Sequence, residues 1–212
     1  MSWIASFILV NCREEGYLGK FPKHDIGLAE SLLKRLNLDE SICLGHANFV
    51  MALQQPGGAF GFGAYPGACV FIDRARITNA IAQPNPIVES FLDVFPNGQL
   101  LIAELDSRVN FFAYAFYQDH ALSRAYAGDI NNGITFEFGA LQPEEVPAFE
   151  ASEVENGQRW FYLHRRKLRA SAAGEYLVFQ MTKKFFGIPL DQLPLDIQAD
   201  GSMSGLEVGL FR

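Results

Sequence analysis

The sequence predicts an α+β fold: one antiparallel sheet of five to seven strands packed by about three helices. Three observations carry this. Four short apolar stretches succeed one another between 99 and 139 with only brief polar links, the pattern of an antiparallel meander. Three other segments repeat apolar residues at helical spacing and carry start and stop signals. The stretch FFAYAFYQ (111–118) is apolar on both faces, so both faces need cover. Residues 1–195 are expected to form a single domain, with 196–212 as a C-terminal tail or edge strand.

Taken in order, Trp3 to Val10 is apolar on both sides and reads as a central strand. It is too short to span a bilayer, and no Lys or Arg precedes it as a secretory leader would require. A polar loop comes next, then a helix over 25–37. Asp25 caps its start, Leu28, Leu32, Leu33 and Leu36 share one face, and Lys34 and Arg35 sit in the last turn, where the helix dipole favours cations. LGHANFVMAL (44–53) fits a strand and a short helix equally. QQPGGAFGFGAYPG (54–67) reads as a glycine-rich loop, and ACVFIDR (68–74) as a strand. A second helix spans 86–95, with Asn85 as cap, Pro86 at the first helical position and PNG as the stop.

The dense β region comes after it. QLLIAEL (99–105), VNFFAYAFYQ (109–118), ALSRAYA (121–127) and GITFEFG (133–139) are joined by short turns, GDINNG among them. In 133–139 the alternation points Ile134, Phe136 and Phe138 inward and Thr135 and Glu137 outward, as on an edge strand or one with a wet face. Within 109–118, Phe112, Tyr114 and Phe116 face one way and Phe111, Ala113, Ala115 and Tyr117 the other. The covers are the helices, including a third over 174–186 that ends at Gly187, or else a second copy of the chain in a homodimer through the Phe112 face. Residues 141–157 read as an acidic surface loop and QRWFYLH (158–164) as a strand or turn.

Composition narrows the function classes. The chain of 212 residues carries a net charge of −7, which disfavours nucleic acid and anionic membranes, because phosphates are repelled at long range. Three cysteines without a CxxC give neither a disulfide framework nor a zinc site and fit reduced thiols in the cytoplasm. The glycine stretch lacks both GxxxxGK[ST] and G-x-G-x-x-G. The four histidines show no metal-ligand spacing, and GSMSG (201–205) has Met203 where a nucleophile elbow needs serine. No catalytic residue, metal or cofactor is expected. The basic run HRRKLR (164–169) is a solvated surface or, in its sharper reading, a patch for phosphate or an acidic partner.

The remaining polar constellation is Glu104, Asp106, Arg108 and Asn110, with Arg124, Asp129 and Asn132 on the later strands. Surface ion pairs are the usual meaning of such a set. As a ligand site it comprises Arg74, Arg108, Asn110, Arg124 and Asn132, and Arg124 is the first choice for an acidic group, since guanidinium binds carboxylate or phosphate in bidentate fashion.

LAESLLKRLNLDE, GAYPGACVFIDR, VNFFAYAFYQDHALSRAYAGDINNGITFEFG and GEYLVFQMTKKFFG together resemble an uncharacterised bacterial family, a domain of unknown function common in actinobacteria. The resemblance covers roughly 1–190. It departs at Phe111, where the family has tryptophan, and at His120, where it has glycine. It implies the same order of elements and carries no activity and no site residues. Two functions stay open. One is a non-enzymatic binding or interaction protein whose acidic surface meets a basic protein partner. The other is a small-ligand binder or enzyme with an anionic-ligand pocket near Arg74 and Arg124.

Overall fold

The computed structural model describes residues 3–38, 41–53, 59–78, 81, 85–193 and 205–212. A nine-stranded antiparallel sheet forms the centre. Its strands are β1 (Ile4–Asn11), β2 (Cys43–Asn48), β3 (Phe60–Tyr65), β4 (Ala68–Ile72), β5 (Gln99–Asp106), β6 (Phe111–Gln118), β7 (Ala121–Asp129), β8 (Gly133–Gly139) and a last strand, Glu207–Phe211. Between β8 and that last strand lies a separate three-stranded sheet, β9 (Ser152–Glu155), β10 (Gln158–Leu163) and β11 (Arg166–Arg169), so the last strand is β12. The central order is β2-β12-β3-β4-β1-β5-β6-β7-β8. The 99–139 meander and the central place of β1 are as expected. The sheet is larger than five to seven strands, and β12 lies inside it rather than at an edge. Residues 201–204 of the GSMSG stretch fall outside the described residues.

Among the described residues three helices exceed five residues: α1 (Ile26–Arg35), α4 (Pro86–Val94) and α6 (Ala170–Met181). The shorter ones are α2 (Phe49–Ala52), α3 (Arg74–Ile77), α5 (Val146–Glu150) and α7 (Lys183–Phe186). Asp25 accepts the Leu28 N–H and Asn85 the Ile87 N–H, so both helices start where their caps fix them. Gly187, at φ 77°, closes α7 in the left-handed conformation that glycine reaches without a Cβ clash. Residues 44–53 form both a strand and a helix, β2 running into α2 at the Asn48 cap. No helix among the described residues is long and apolar enough to cross a membrane.

At β6 the sheet is buried on both faces, which answers the demand of that strand. On one face Phe112, Tyr114 and Phe116 pack with Phe7, Leu9 and Leu101 beneath Leu177, Val178 and Met181 of α6 and Phe185 of α7. On the other, Ala115 and Ala125 join Ile8, Val10 and Ile102 beneath α1 and α4. Gly174 lets α6 settle onto β6: a Cβ there would stand 1.9 Å from Cδ1 of Phe112. Because α6 of the same chain covers the Phe112 face, that face is closed to a second copy, and the expected dimer surface is corrected.

Three further expectations change. Residues 60–65 of the glycine stretch are a buried strand; 54–58 fall outside the described residues. The glycines serve side-chain packing, since a Cβ on Gly63 would meet the Tyr65 hydroxyl at 2.2 Å. Phe136 and Phe138 do not point into the core. They stand 41% and 47% exposed on the outermost strand, beyond the reach of α1 and α4. The acidic segment after 140 holds α5 and leads into the β9–β11 sheet, and it buries Glu145 completely.

Candidate functional site

Strands β4, β5 and β7 run in one direction and end at the same end of the sheet, because each is separated from the next in this set by one antiparallel strand. The segments that leave them therefore converge: Arg74 opens α3, Arg108 and Asn110 lie in the β5–β6 turn, and Asn132 lies in the β7–β8 turn. Two carboxylates fix these turns. Asp106 accepts from Arg108 Nε at 2.9 Å and Nη2 at 2.6 Å, with Arg74 Nη2 at 3.6 Å. The hydrogen bond from Arg108 holds its carboxyl below the ordinary carboxylate value. Asp129 accepts the backbone N–H groups of Asn131 and Asn132 at 2.7 and 2.9 Å, and the Asn132 side-chain amide at 2.9 Å. That side-chain bond and the backbone bonds hold Asp129 down likewise.

Three cavities lined by described residues lie at this end. The first, of about 400 Å³, is lined by Ser6, Arg74, Glu104, Asp106, Asp129 and Asn132 among others. Ser6 and Glu104 are register partners on β1 and β5, both buried and both on the α1/α4 face. The second, of about 310 Å³, holds Ser107, Asn110, His164, Ser171, Glu175 and Tyr176. Here the Ser107 hydroxyl donates to Glu175 and the His164 ring meets the Tyr176 ring edge-on at 5.6 Å. The third, of about 420 Å³, lies between the β7–β8 turn, the β9–β10 turn and the start of α6, and includes Gln158, Arg159, Arg169 and Ser171.

The three adjoin. Phe111 borders the first and second, Asn131 and Asn132 the first and third, Ser171 the second and third. Together they form one cleft that wraps around the sheet end from the α1/α4 face to the α6 face. Its charge is divided. Three carboxylates and one guanidinium line the first lobe, whereas two guanidiniums and no carboxylate line the third.

Of the expected site residues, Arg74 and Asn132 line the first lobe, Asn110 the second, and Arg108 pairs with Asp106 beside them. Arg124 is elsewhere. It lies midway along β7, 0% exposed, beneath α5. Its Nε donates to both oxygens of the equally buried Glu145, at 2.9 and 3.2 Å, and its Nη1 donates to Glu137 and to the carbonyls of Phe138 and Gly139, all at 3.2 Å. Tyr114 donates to the same Glu145 carboxylate, as does the Gln142 N–H at 2.7 Å. Burial opposes the Arg124 charge, but Glu145, Tyr114 and Glu137 outweigh it and raise the guanidinium pKa; burial also drives the Tyr114 hydroxyl well above its ordinary value. With its donors taken internally, Arg124 ties β7 to the 140–150 segment, and its expected place beside Arg74 is corrected.

Sequence reasoning missed Arg159, Ser171 and Glu175, which enter the cleft from segments with no local signature. Only the basic run pointed towards Arg169. His120, beside Asp119 in sequence, instead faces Asp93 at 3.4 Å on the surface. No metal-binding cluster of His, Cys, Asp and Glu occurs among the described residues.

A family model described as "Family of unknown function (DUF6928)" matches residues 6–196. No curated protein and no solved structure matches the chain.

Proposed function

Since the chain belongs to DUF6928, a family of unknown function, we propose from its geometry alone that it is a binding protein for a small polar ligand, held in the cleft at the turn end of the sheet. The observation that carries this reading is the convergence of Arg74, Asn110, Asn131 and Asn132 with the buried Glu104 around adjoining cavities. In the first lobe the carboxylates of Glu104, Asp106 and Asp129 outnumber the Arg74 guanidinium, so the field there is negative and suits a cationic or hydrogen-bond-donating group. Arg74 and Asn132 then orient the rest of the ligand. Three free cysteines fit a reducing compartment such as the cytoplasm.

The test is a backbone-amide NMR titration of the full chain with a panel of aliphatic amines and diamines. Saturable shifts should concentrate at 104–106 and 129–132 and vanish in Glu104→Gln. Absence of saturation at about 10 mM, a concentration matching millimolar affinity, would sink the reading, as would shifts spread evenly over the acidic surface.

A second reading is an interaction surface along β8. It is favoured by Phe136 and Phe138, exposed side by side on the last strand of the sheet, where an open strand edge invites pairing with another chain. A second copy or a basic protein partner of this acidic chain would cover it. Sedimentation of the wild type against Phe138→Ser, alone and with cationic proteins, separates the two.

A further inference from the structure

The basic run 164–169 does not act as one patch. Lys167 is paired with Glu153 and Glu155 at 3.2 and 2.5 Å, and the first two residues of the run form the hairpin turn between β10 and β11. Leu163 and Arg166 are register partners, so His164 and Arg165 alone make that turn, at φ 49° and 63°. A two-residue connection with both positions left-handed favours Asn-Gly. The turn therefore gives no reason for histidine at 164. Its surroundings do: His164 lines the second lobe of the cleft, where its ring meets that of Tyr176 edge-on at 5.6 Å.

The lining of this lobe sets it apart from the first. Rings of Phe111, His164, Tyr176 and Phe179 border it, and among its described lining residues there is no lysine or arginine, so an anion finds no fixed countercharge. The other polar groups are mostly side chains that both give and take hydrogen bonds, Ser107, Asn110, Ser171 and Tyr176, joined by the carboxylates of Glu175 and Asp191. The Ser107 hydroxyl accepts the Trp3 N–H at 3.0 Å and donates to Glu175 Oε2, which holds that carboxylate in place. Burial, with Asp191 nearby, raises the Tyr176 hydroxyl above its ordinary value, so the phenol stays a donor. Interspersed donors and acceptors beside ring walls match a molecule whose hydroxyls both donate and accept and whose carbon skeleton is apolar. A hydroxyl that reaches a carboxylate makes a short, charge-assisted bond, and the rings cover C–H faces.

We propose that the second lobe binds a neutral polyhydroxylated group, a sugar ring or a cyclic polyol. Glu175 and Asp191 accept from its hydroxyls, Asn110, Ser171 and Tyr176 bond to them in either sense, and the His164 ring packs against its carbon face. The site rests on the cleft reading and deepens it: Phe111 borders both lobes, so the hydroxylated group continues the ligand whose cationic end lies in the first. Neutral probes carry no ammonium group, so their failure leaves the amine titration of the first lobe standing.

The experiment is an amide NMR titration of the full chain with D-glucose, D-ribose and myo-inositol in turn. At least one of them should give saturable shifts at 107–111, 164 and 171–176, with half-saturation at or below about 30 mM. Tetrahydropyran, a ring without hydroxyls, should give none. Tyr176→Phe keeps the ring and removes one hydroxyl, and His164→Asn suits the left-handed turn; each should bind at least about threefold more weakly. Arg165→Gly, at the neighbouring turn position outside the lobe, should bind as wild type. Tightest binding of a monosaccharide marks a sugar site, and of myo-inositol a cyclic-polyol site. The two weakened variants are independent, so a folding defect in one leaves the other decisive. The assignment is overturned if none of the three probes saturates by about 100 mM, if tetrahydropyran shifts the same amides as strongly, or if Tyr176→Phe and His164→Asn both bind as wild type.

Discussion

Arg124→Met separates the two roles an arginine on β7 could play. The side chain is fully buried and bonded to Glu145, Glu137 and two carbonyls. Removing one member of a buried ion pair costs about 3–5 kcal/mol, because the other charge stays behind uncompensated. Here Glu145 keeps two donors, the Tyr114 hydroxyl and the Gln142 N–H, which places the loss at the lower end, about 3 kcal/mol. For a chain of this size each kcal/mol lowers Tm by about 2–4 °C, so a drop of about 6–12 °C is expected. Urea unfolding monitored by circular dichroism measures the free-energy loss, and a thermal melt the drop in Tm. Arg124→Lys keeps the charge but not the fork and should recover part of the loss. Amine binding by the folded protein should be unchanged in both variants. A loss below about 1 kcal/mol would refute the buried-tie reading of Arg124, and loss of ligand binding in a still-folded variant would return it to the site.

The packing sets three further outcomes. Gly174→Ala places a methyl group against the Phe112 ring and should destabilise by about 1–3 kcal/mol in the same urea assay, the range of overpacked cores, whereas an effect near zero would mean that α6 does not lie on β6 as described. His24 is buried, and its Nδ1 accepts the Ala64 N–H at 3.2 Å; desolvation is the main cause that lowers its pKa from 6.5. Its neutral form is favoured by the fold, so its contribution to stability is full above pH 6.5 and is lost as pH falls from there through the lower folded value. Urea midpoints between pH 7.5 and 5 should therefore fall less steeply in His24→Gln than in wild type, and parallel slopes would contradict this. Cys12 and Cys43 are exposed and Cys69 is buried, with burial pushing the Cys69 thiol well up; Ellman's reagent should modify two thiols in the native protein and the third only on unfolding, and three fast thiols would refute the burial of Cys69.

What the sequence showed well were segments whose local pattern and tertiary role agree. α1 and α4 carry their caps and their apolar stripes in the same few residues, and the two-sided apolarity of β6 demanded covers that α1, α4 and α6 provide. It failed where the reason for a residue lies in another segment. β3 looked like a loop because its glycines make room for a Tyr65 hydroxyl and an Ile72 side chain that no local pattern reveals. β12 is a five-residue strand whose neighbours, β2 and β3, lie far earlier in the chain, so nothing local marks it as interior. Phe136 and Phe138 alternate as core residues would, yet no helix reaches that far along the sheet. Asn131 and Asn132 are legible as turn formers in GDINNG, whereas Asn110 stands inside the apolar stretch 109–118 that reads as strand; strand direction brings the three together. Arg124 was misplaced because its partner Glu145 sat in a segment that composition marked as solvent-exposed.

The most direct test of the cleft reading is an amide NMR experiment in which the full chain is titrated with a diamine. One saturable set of shifts is expected, at 104–106 and 129–132. Shifts that fail to saturate, or that fall outside these turns, would contradict a polar-ligand site at this end of the sheet.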